Sequence, residues 1–327
     1  MQYRPLGTTG LSVSAIAFGT GPVSGLMTSM SNNAQQSVIA KAVELGVNWF
    51  DTAATYANGL SESGLGAALA SVRNRDPLYV ATKVRVQLKG ETDLRPLVVA
   101  SVAQSLERLQ MSRVTLLQIH NSITRNRNDQ PTSITPEDVL GPQGLLAGME
   151  DVREAGLVEH FGLTGIGDTD ALNTVISSGR FATIQAPVHL LNLSALRSQP
   201  GVECDPEYGG FLQTASKQGM GIFAIRIFAA GALIGATPSR HTLQTPFFPL
   251  ALYLRDQARA NELAKRFGSI DVLREIALRY VVSHPQITSA IIGLGETSHV
   301  EDAARIADME LLTDTELTML EEMVHSV

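Results

Sequence analysis

The chain has 327 residues, 44% of them hydrophobic and 17% charged, and its 25 Lys and Arg against 32 Asp and Glu leave a net charge of -7. That apolar content describes a globular protein with a large core, and the acidic balance argues against nucleic acid or an anionic membrane surface as main partner. A lone cysteine, Cys204, excludes an intramolecular disulfide framework, and its neighbours Glu203 and Asp205 disfavour a thiolate, so it reads as incidental. The N-terminus, Met1 to Gly7, has no apolar run of a secretory signal, and the most apolar window, 219–236, carries Arg226 and several glycines and is a poor membrane span. A cytoplasmic location is the expectation.

In chain order, residues 3–12 predict a hairpin around Gly7-Thr8-Thr9-Gly10, followed by a buried strand at 14–18 that ends at Gly19-Thr20. From there helix and strand patterns alternate: helix 34–45 and strand 47–51, helix 62–72 and strand 78–83, helix 94–109 and strand 114–119. The second half continues with helix 143–155 and strand 158–164, helix 169–178 and strand 183–187, helix 208–218 and strand 221–225. Helix 272–283 and the strand from Ser289 follow, and helices 298–307 and 314–324 close the chain. Strands apolar on both faces, each joined to the next by a helix, predict one α/β domain over 1–327, a (β/α)8 TIM barrel behind an N-terminal β-hairpin. Three long connections, 121–142, 189–206 and 234–256, follow strand C-termini and are expected to wall the barrel mouth as loops.

Three of the strands stop on a polar residue: Val47 to Phe50 at Asp51, Leu78 to Thr82 at Lys83, and Val114 to Ile119 at His120. In a parallel barrel those ends share one mouth, with Tyr56 just beyond Asp51. Each residue alone also fits a structural role. Together they form a set in which Lys83 lowers the pKa of Tyr56, ordinarily about 10, Asp51 keeps Lys83 charged, and His120 orients an oxygen. The set lacks the nucleophile–base pair of acyl transfer and the His/Asp/Glu spacing of a metal site, so no metal is expected. What remains is proton transfer on oxygen coupled to chemistry that side chains do not supply, such as hydride transfer by a cofactor.

These strings carry a resemblance. Tyr3 to Ser14, Gly46 to Tyr56 with Ser61-Glu62, Ala81-Thr82-Lys83, Ser105 to Leu109, Leu116 to His120 and Ser289 to Gly293 run in the order found in the aldo-keto reductase superfamily, and the chain resembles its members over nearly its whole length. The resemblance implies Tyr56 as general acid/base, Asp51 and Lys83 as its tuning pair, and His120 as the substrate-orienting residue. It also implies a nicotinamide cofactor extended across the mouth without a Rossmann domain. Gly64-Leu65-Gly66 and Gly165-Ile166-Gly167 indeed lack the third glycine of a dinucleotide fingerprint.

Carried over residue by residue, the cofactor contacts are Gly19, Thr20, Asp51, Thr164, Gln185, Arg226, Phe228, Ala230, Gly231, Leu233, Gly293, Gly295, Thr297, His299 and Asp302. Gln185 matches the glutamine that holds the carboxamide. Thr164-Gly165 stands where many relatives have Ser-Asn, and Arg226 where many have serine. The segment Leu294 to Asp302 has no Lys or Arg and three acids, Glu296, Glu301 and Asp302. A 2′-phosphate would be repelled there, so NAD is expected over NADP. Gly162 to Ile166 and Ala54 to Glu62 resemble the L-galactose and aldose 1-dehydrogenase branch. That implies oxidation of an aldose or similar polyol at C1 to a lactone, with a small sugar or carbonyl compound as partner. A reductase of aldehydes and ketones is the first alternative, and a cofactor-sensing regulatory subunit without turnover is the second.

Overall fold

The computed structural model describes residues 1–73, 77–198, 206–245 and 248–326. Among the described residues there are ten strands: β1 (Tyr3–Pro5), β2 (Ser12–Ser14), β3 (Ile16–Gly19), β4 (Trp49–Asp51), β5 (Tyr79–Val84), β6 (Val114–Ile119), β7 (Val158–Thr164), β8 (Thr183–Pro187), β9 (Gly221–Ile225) and β10 (Ser289–Gly293). The first two pair antiparallel as a hairpin, and the other eight close into a parallel barrel in chain order, with β10 beside β3. This is the expected (β/α)8 barrel.

Alternation along each strand separates two apolar layers. Ala17, Trp49, Ala81, Leu116, Phe223 and Ile291 fill the barrel axis, where the rings of Trp49 and Phe223 lie 4.7 Å apart. Phe18, Phe50, Val80, Val84 and Leu117 point outward to the helices. Leu6 and Val13 of the hairpin join the inner layer. The hairpin turn presses so closely on the start of β9 that a Cβ on Gly7, at φ +51°, would sit 2.3 Å from the Gly221 nitrogen. One end of the barrel is therefore plugged, leaving the C-terminal ends of the strands as the mouth.

Three expectations need correction, the first being that 121–142 is loop: it holds the helix Pro136–Leu140, capped by Thr135. The connection 234–256 is not loop throughout: helices Arg240–Gln244 and Leu250–Phe267 occupy it, and the latter runs on to Gly268. Leu252, Tyr253, Asp256, Ala260 and Leu263 are its buried face, a helical spacing, and the segment contains no Gly, Pro or Ser to interrupt it. The helix expected at 208–218 is shorter, Leu212–Lys217, because Gly209 and Gly210 take left-handed φ values of +64° and +68°. Cys204 lies outside the described residues. Among the described residues no helix is long and apolar enough to cross a membrane, and no cluster of His, Cys, Asp and Glu is placed to hold a metal.

Candidate active site

Asp51 is the last residue of β4, and register sets it beside Gly19 of β3 and Ala81 of β5. Lys83 lies one step nearer the mouth on β5, paired with Gln118 of β6, and His120 follows the end of β6. The strand therefore runs one residue past Lys83, to Val84. Alternation points Asp51, Lys83 and Gln118 inward, where water is scarce. Lys83 is 1% and Asp51 3% exposed, so each needs a partner.

They have them. Lys83 Nζ donates to Asp51 Oδ1 at 2.5 Å, to the Thr52 carbonyl at 2.9 Å and to the Tyr56 hydroxyl at 3.3 Å. The other carboxylate oxygen, Asp51 Oδ2, accepts from Gln185 Nε2 at 2.5 Å and from Gln118 Nε2 at 3.2 Å. All the donors of the ammonium and both oxygens of the acid are thus engaged, which is the condition for a buried ion pair to hold its geometry. Lys83 is the link between Asp51 and Tyr56.

The electrostatics differ in one respect from the expectation for Tyr56. Its ring is half-buried, but its hydroxyl reaches down to Lys83, and burial there pushes the phenol above its ordinary value. Lys83 opposes this, as expected, while Asp51 adds to it, and burial prevails. At Lys83 burial works downward, yet Asp51 and then Tyr56 outweigh it and hold the ammonium above its ordinary value. The mouth thus keeps a charged lysine against a protonated tyrosine.

His120 meets the Tyr56 ring edge-on, with centroids 5.6 Å apart and planes at 81°. Burial first, then the charges of Lys83 and Arg85, hold its pKa well below the usual histidine value, so the imidazole is neutral. Thr55 Oγ1 lies 3.2 Å from His120 Nδ1. Directly after Tyr56 the chain turns through Ala57, Asn58 and Gly59, all at positive φ (48°, 54° and 89°). Two non-glycine residues in that region store backbone strain beside the Tyr56 hydroxyl.

Ser61 and Glu62 serve the scaffold. Ser61 Oγ donates to Thr20 at 2.7 Å, and Thr20 Oγ1 donates to the Asp51 carbonyl at 3.0 Å, so Thr20 braces the strand end. Glu62, fully buried, accepts from Thr82 Oγ1 at 2.5 Å and Arg108 Nε at 2.6 Å.

Across the mouth lie the residues expected to hold a nicotinamide cofactor. Gln185 must turn its amino group toward the carboxylate of Asp51, which leaves its carbonyl oxygen for a carboxamide N–H. Thr164 Oγ1 is buried and has no partner among the described residues, a hydroxyl suited to that same amide. Gly19 and Gly293 are register partners at the ends of β3 and β10, where a Cβ on Gly19 would come within 2.8 Å of Ile291 Cγ2. Past β9 the backbone takes positive φ at Arg226, Ala229, Ala230 and Gly231, the curvature of a loop that wraps a bound group. The Arg226 guanidinium stacks over Phe248, 3.6 Å from the ring centroid. Phe228 and Ala230 are half-buried on this loop. The observed residues fit the group.

Two of the expected contacts are otherwise engaged. Leu233 is buried in the outer core and its N–H donates to the Phe228 carbonyl at 3.2 Å, so the loop keeps it away from a ligand. Asp302 faces Arg274 at 3.0 Å, and Asp271 approaches the same guanidinium at 3.4 Å. Helix Ile270–Ser283 therefore brings a cation to a segment that has none of its own, and two acids neutralise it. Before helix Thr297–Ala307, Gly295 N lies 3.4 Å from His299 Nδ1 and Glu296 accepts from Ser298 Oγ at 2.8 Å. Gln118, Thr55 and Arg85 were not among the expected site residues.

The sequence profile described as "Aldo/keto reductase family" matches residues 15–325. The chain belongs to this family. It is 26% identical over 323 residues to L-galactose dehydrogenase of Arabidopsis thaliana, covering 98% of this chain and 93% of that one. It is 26% identical over 255 residues to D-threo-aldose 1-dehydrogenase of a Pseudomonas species, covering 71% and 70% of the two chains. Among solved structures, the glycerol dehydrogenase of Gluconobacter oxydans superposes with a TM-score of 0.72 at 21% identity, covering 99% of this chain and 95% of that one, which bears out the fold. As a member of the aldo/keto reductase family the protein is an NAD(P)-dependent oxidoreductase.

Proposed function

We propose that this protein oxidises an aldose, or a related hemiacetal, at C1 to its lactone, with NAD preferred over NADP. The observation that carries this reading is the chain Asp51–Lys83–Tyr56 set against a neutral His120, a proton relay built around one phenolic oxygen. A bound nicotinamide would supply the hydride acceptor that the side chains lack. The side chains handle the rest. His120 hydrogen-bonds the C1 hydroxyl and places it on Tyr56. Tyr56 removes its proton, and the Lys83 ammonium, fixed by Asp51, stabilises the phenolate that starts the step. Gln185 and Thr164 would hold the carboxamide, and the loop Arg226 to Gly231 the phosphates. The likeness to L-galactose dehydrogenase and D-threo-aldose 1-dehydrogenase supports a sugar as substrate.

NAD preference is supported by the acids around the groove's far end. Glu296 is exposed there, 294–302 holds no Lys or Arg, and the neighbouring Arg274 is paired with Asp302 and Asp271, all of which disfavours a 2′-phosphate.

One observation favours the reverse direction, reduction of a carbonyl. Burial favours the protonated form of Tyr56, ready to donate. Initial rates on a panel of aldoses with NAD and NADP, beside a panel of aldehydes with the two reduced cofactors, separate the readings. The proposal expects lactone formation from at least one aldose and an advantage of about tenfold or more for NAD in kcat/KM. Aldehyde reduction without any aldose oxidation, or a tenfold advantage for NADP, would overturn the corresponding half.

A further inference from the structure

Gln118 stands where an apolar side chain would pack at less cost. Leu116 of the same strand lies in the inner layer, whereas Leu117 and Ile119 belong to the outer core. Alternation therefore points Gln118 into the barrel, where it is fully buried between Lys83 of β5 and Gly162 of β7. A buried amide costs free energy unless both of its ends are bonded. Here only one is. Nε2 donates to Asp51 Oδ2 at 3.2 Å, while Oε1 has no partner among the described residues. Turned over, the amide would set its oxygen against that of the carboxylate, so Asp51 decides which end faces it.

The neighbouring strand makes room for this side chain. A Cβ on Gly162 would lie 2.8 Å from Gln118 Cγ and 2.5 Å from Thr183 Oγ1. Gly162 does not take a positive φ, so space and not backbone conformation calls for glycine there. Two positions thus depart from what apolar packing favours, and both admit one hydrogen bond to Asp51.

That bond reaches the carboxylate which, through Lys83, fixes the tyrosine. Asp51 Oδ1 accepts from Lys83, and Oδ2 accepts from Gln185 and Gln118. The Asp51 charge pushes the Tyr56 phenol upward while Lys83 pulls it down. A donor on Oδ2 draws part of the negative charge toward itself and away from Tyr56, and it keeps the carboxylate plane turned to Lys83.

We propose that Gln118 is a positioning residue of the proton relay, whose amide holds the Asp51 carboxylate on Lys83 and sets the field under which Tyr56 exchanges its proton. This rests on the reading of Tyr56 as the proton carrier. Gln118 itself meets neither substrate nor Tyr56; it acts through Asp51.

The test is Gln118→Met, which keeps the length of the side chain and removes the amide. Its urea midpoint should be unchanged or higher, because Gln185 still donates to Asp51 Oδ2 and no unpaired amide oxygen remains. Single-turnover rates are read against pH with L-galactose and NAD and with glyceraldehyde and NADH. In whichever direction turns over, the alkaline limb should move up by about half a pH unit or more, about threefold in phenolate at any pH below it. Carbon-13 shifts of the Tyr56 phenol carbon, assigned by the signal lost in Tyr56→Phe, should show the same displacement between about pH 8 and about pH 12 without any substrate. In the Tyr56→Phe background Gln118→Met should change the residual rate by less than about twofold, since both substitutions act through one oxygen. A lower urea midpoint with the limb and the phenol midpoint unmoved, the pattern of a structural amide, would overturn the proposal. So would an equal loss of rate in both backgrounds. Tyr56→Phe at near wild-type rate removes the relay and this inference with it, whereas a slow Tyr56→Phe beside an unmoved limb in Gln118→Met removes this inference alone.

Discussion

Thr55 Oγ1 stands 3.2 Å from His120 Nδ1, one residue before the tyrosine that the same histidine meets edge-on. A neutral imidazole carries one proton, and a hydroxyl that donates to Nδ1 leaves that proton on Nε2. With Thr55 as the donor of this bond, His120 would turn Nε2–H toward a substrate oxygen, and the Thr55 variants test that direction. Thr55→Val is expected to lower kcat about tenfold with a smaller change in KM, and Thr55→Ser to retain most of the activity. Nitrogen-15 shifts of His120 in Thr55→Val should show a mixture of tautomers. An unchanged tautomer would remove this role.

The buried carboxylate of Glu62 predicts a stability defect rather than a catalytic one. Arg108 supplies its only charged partner among the described residues, and Thr82 a second hydrogen bond. Arg108→Met leaves a buried carboxylate without its cation, and a loss of about 3 kcal/mol or more is expected in urea unfolding. Replacing Glu62 by Gln together with Arg108→Met should recover part of that loss, since no charge is then stranded.

Acid should weaken the fold through His189. It is buried beside Arg226, Arg259 and Arg255, and burial, followed by those charges, pushes its pKa down to about 3. In the unfolded chain a histidine titrates near 6.5. Between these values the unfolded state holds a proton that the folded state refuses, so stability declines as pH falls through that window and levels off below it. The slope is up to about 1.4 kcal/mol per pH unit from this group. Urea midpoints from pH 7 to pH 4 should fall less steeply in His189→Leu; parallel slopes would show that other groups dominate.

Asp51, Lys83 and His120 were legible because strand ends are the places where an apolar run must stop, and a parallel barrel collects those ends; Tyr56 followed from its place just past Asp51 and from the family resemblance. Gln118 was not, since a glutamine inside an apolar run gives no sign of which way it faces until register places it against Lys83. Arg85 was closer to hand: it lies two residues past Lys83, and alternation alone puts both on one side. The helix Leu250–Phe267 was also readable from its apolar spacing but was hidden by the Pro and Gly content of the stretch before it. Arg274 and Asp302 are brought together only by packing of two helices, which no local pattern records. The direction of the Tyr56 shift needed the structure as well, because sequence shows which charge is near and not how much water has left.

Since burial raises the Tyr56 pKa and Lys83 opposes it, the two directions of reaction should separate with pH. Oxidation, which needs the phenolate, should accelerate as pH rises through the alkaline range. Reduction, which needs the phenol, should hold its rate until the same group ionises. In Lys83→Met the opposing charge is gone and the alkaline rise should move to higher pH; a shift to lower pH would contradict the role given to Lys83.

If Tyr56 carries the proton, single-turnover rates of Tyr56→Phe against wild type will show it. The variant removes only the hydroxyl bonded to Lys83, so nicotinamide binding, followed by fluorescence, and circular dichroism should be unchanged. The account predicts a loss of about 10²- to 10⁴-fold in the hydride-transfer step, the range ascribed to general acid–base catalysis. A Tyr56→Phe protein that turns over within about tenfold of wild type would contradict it.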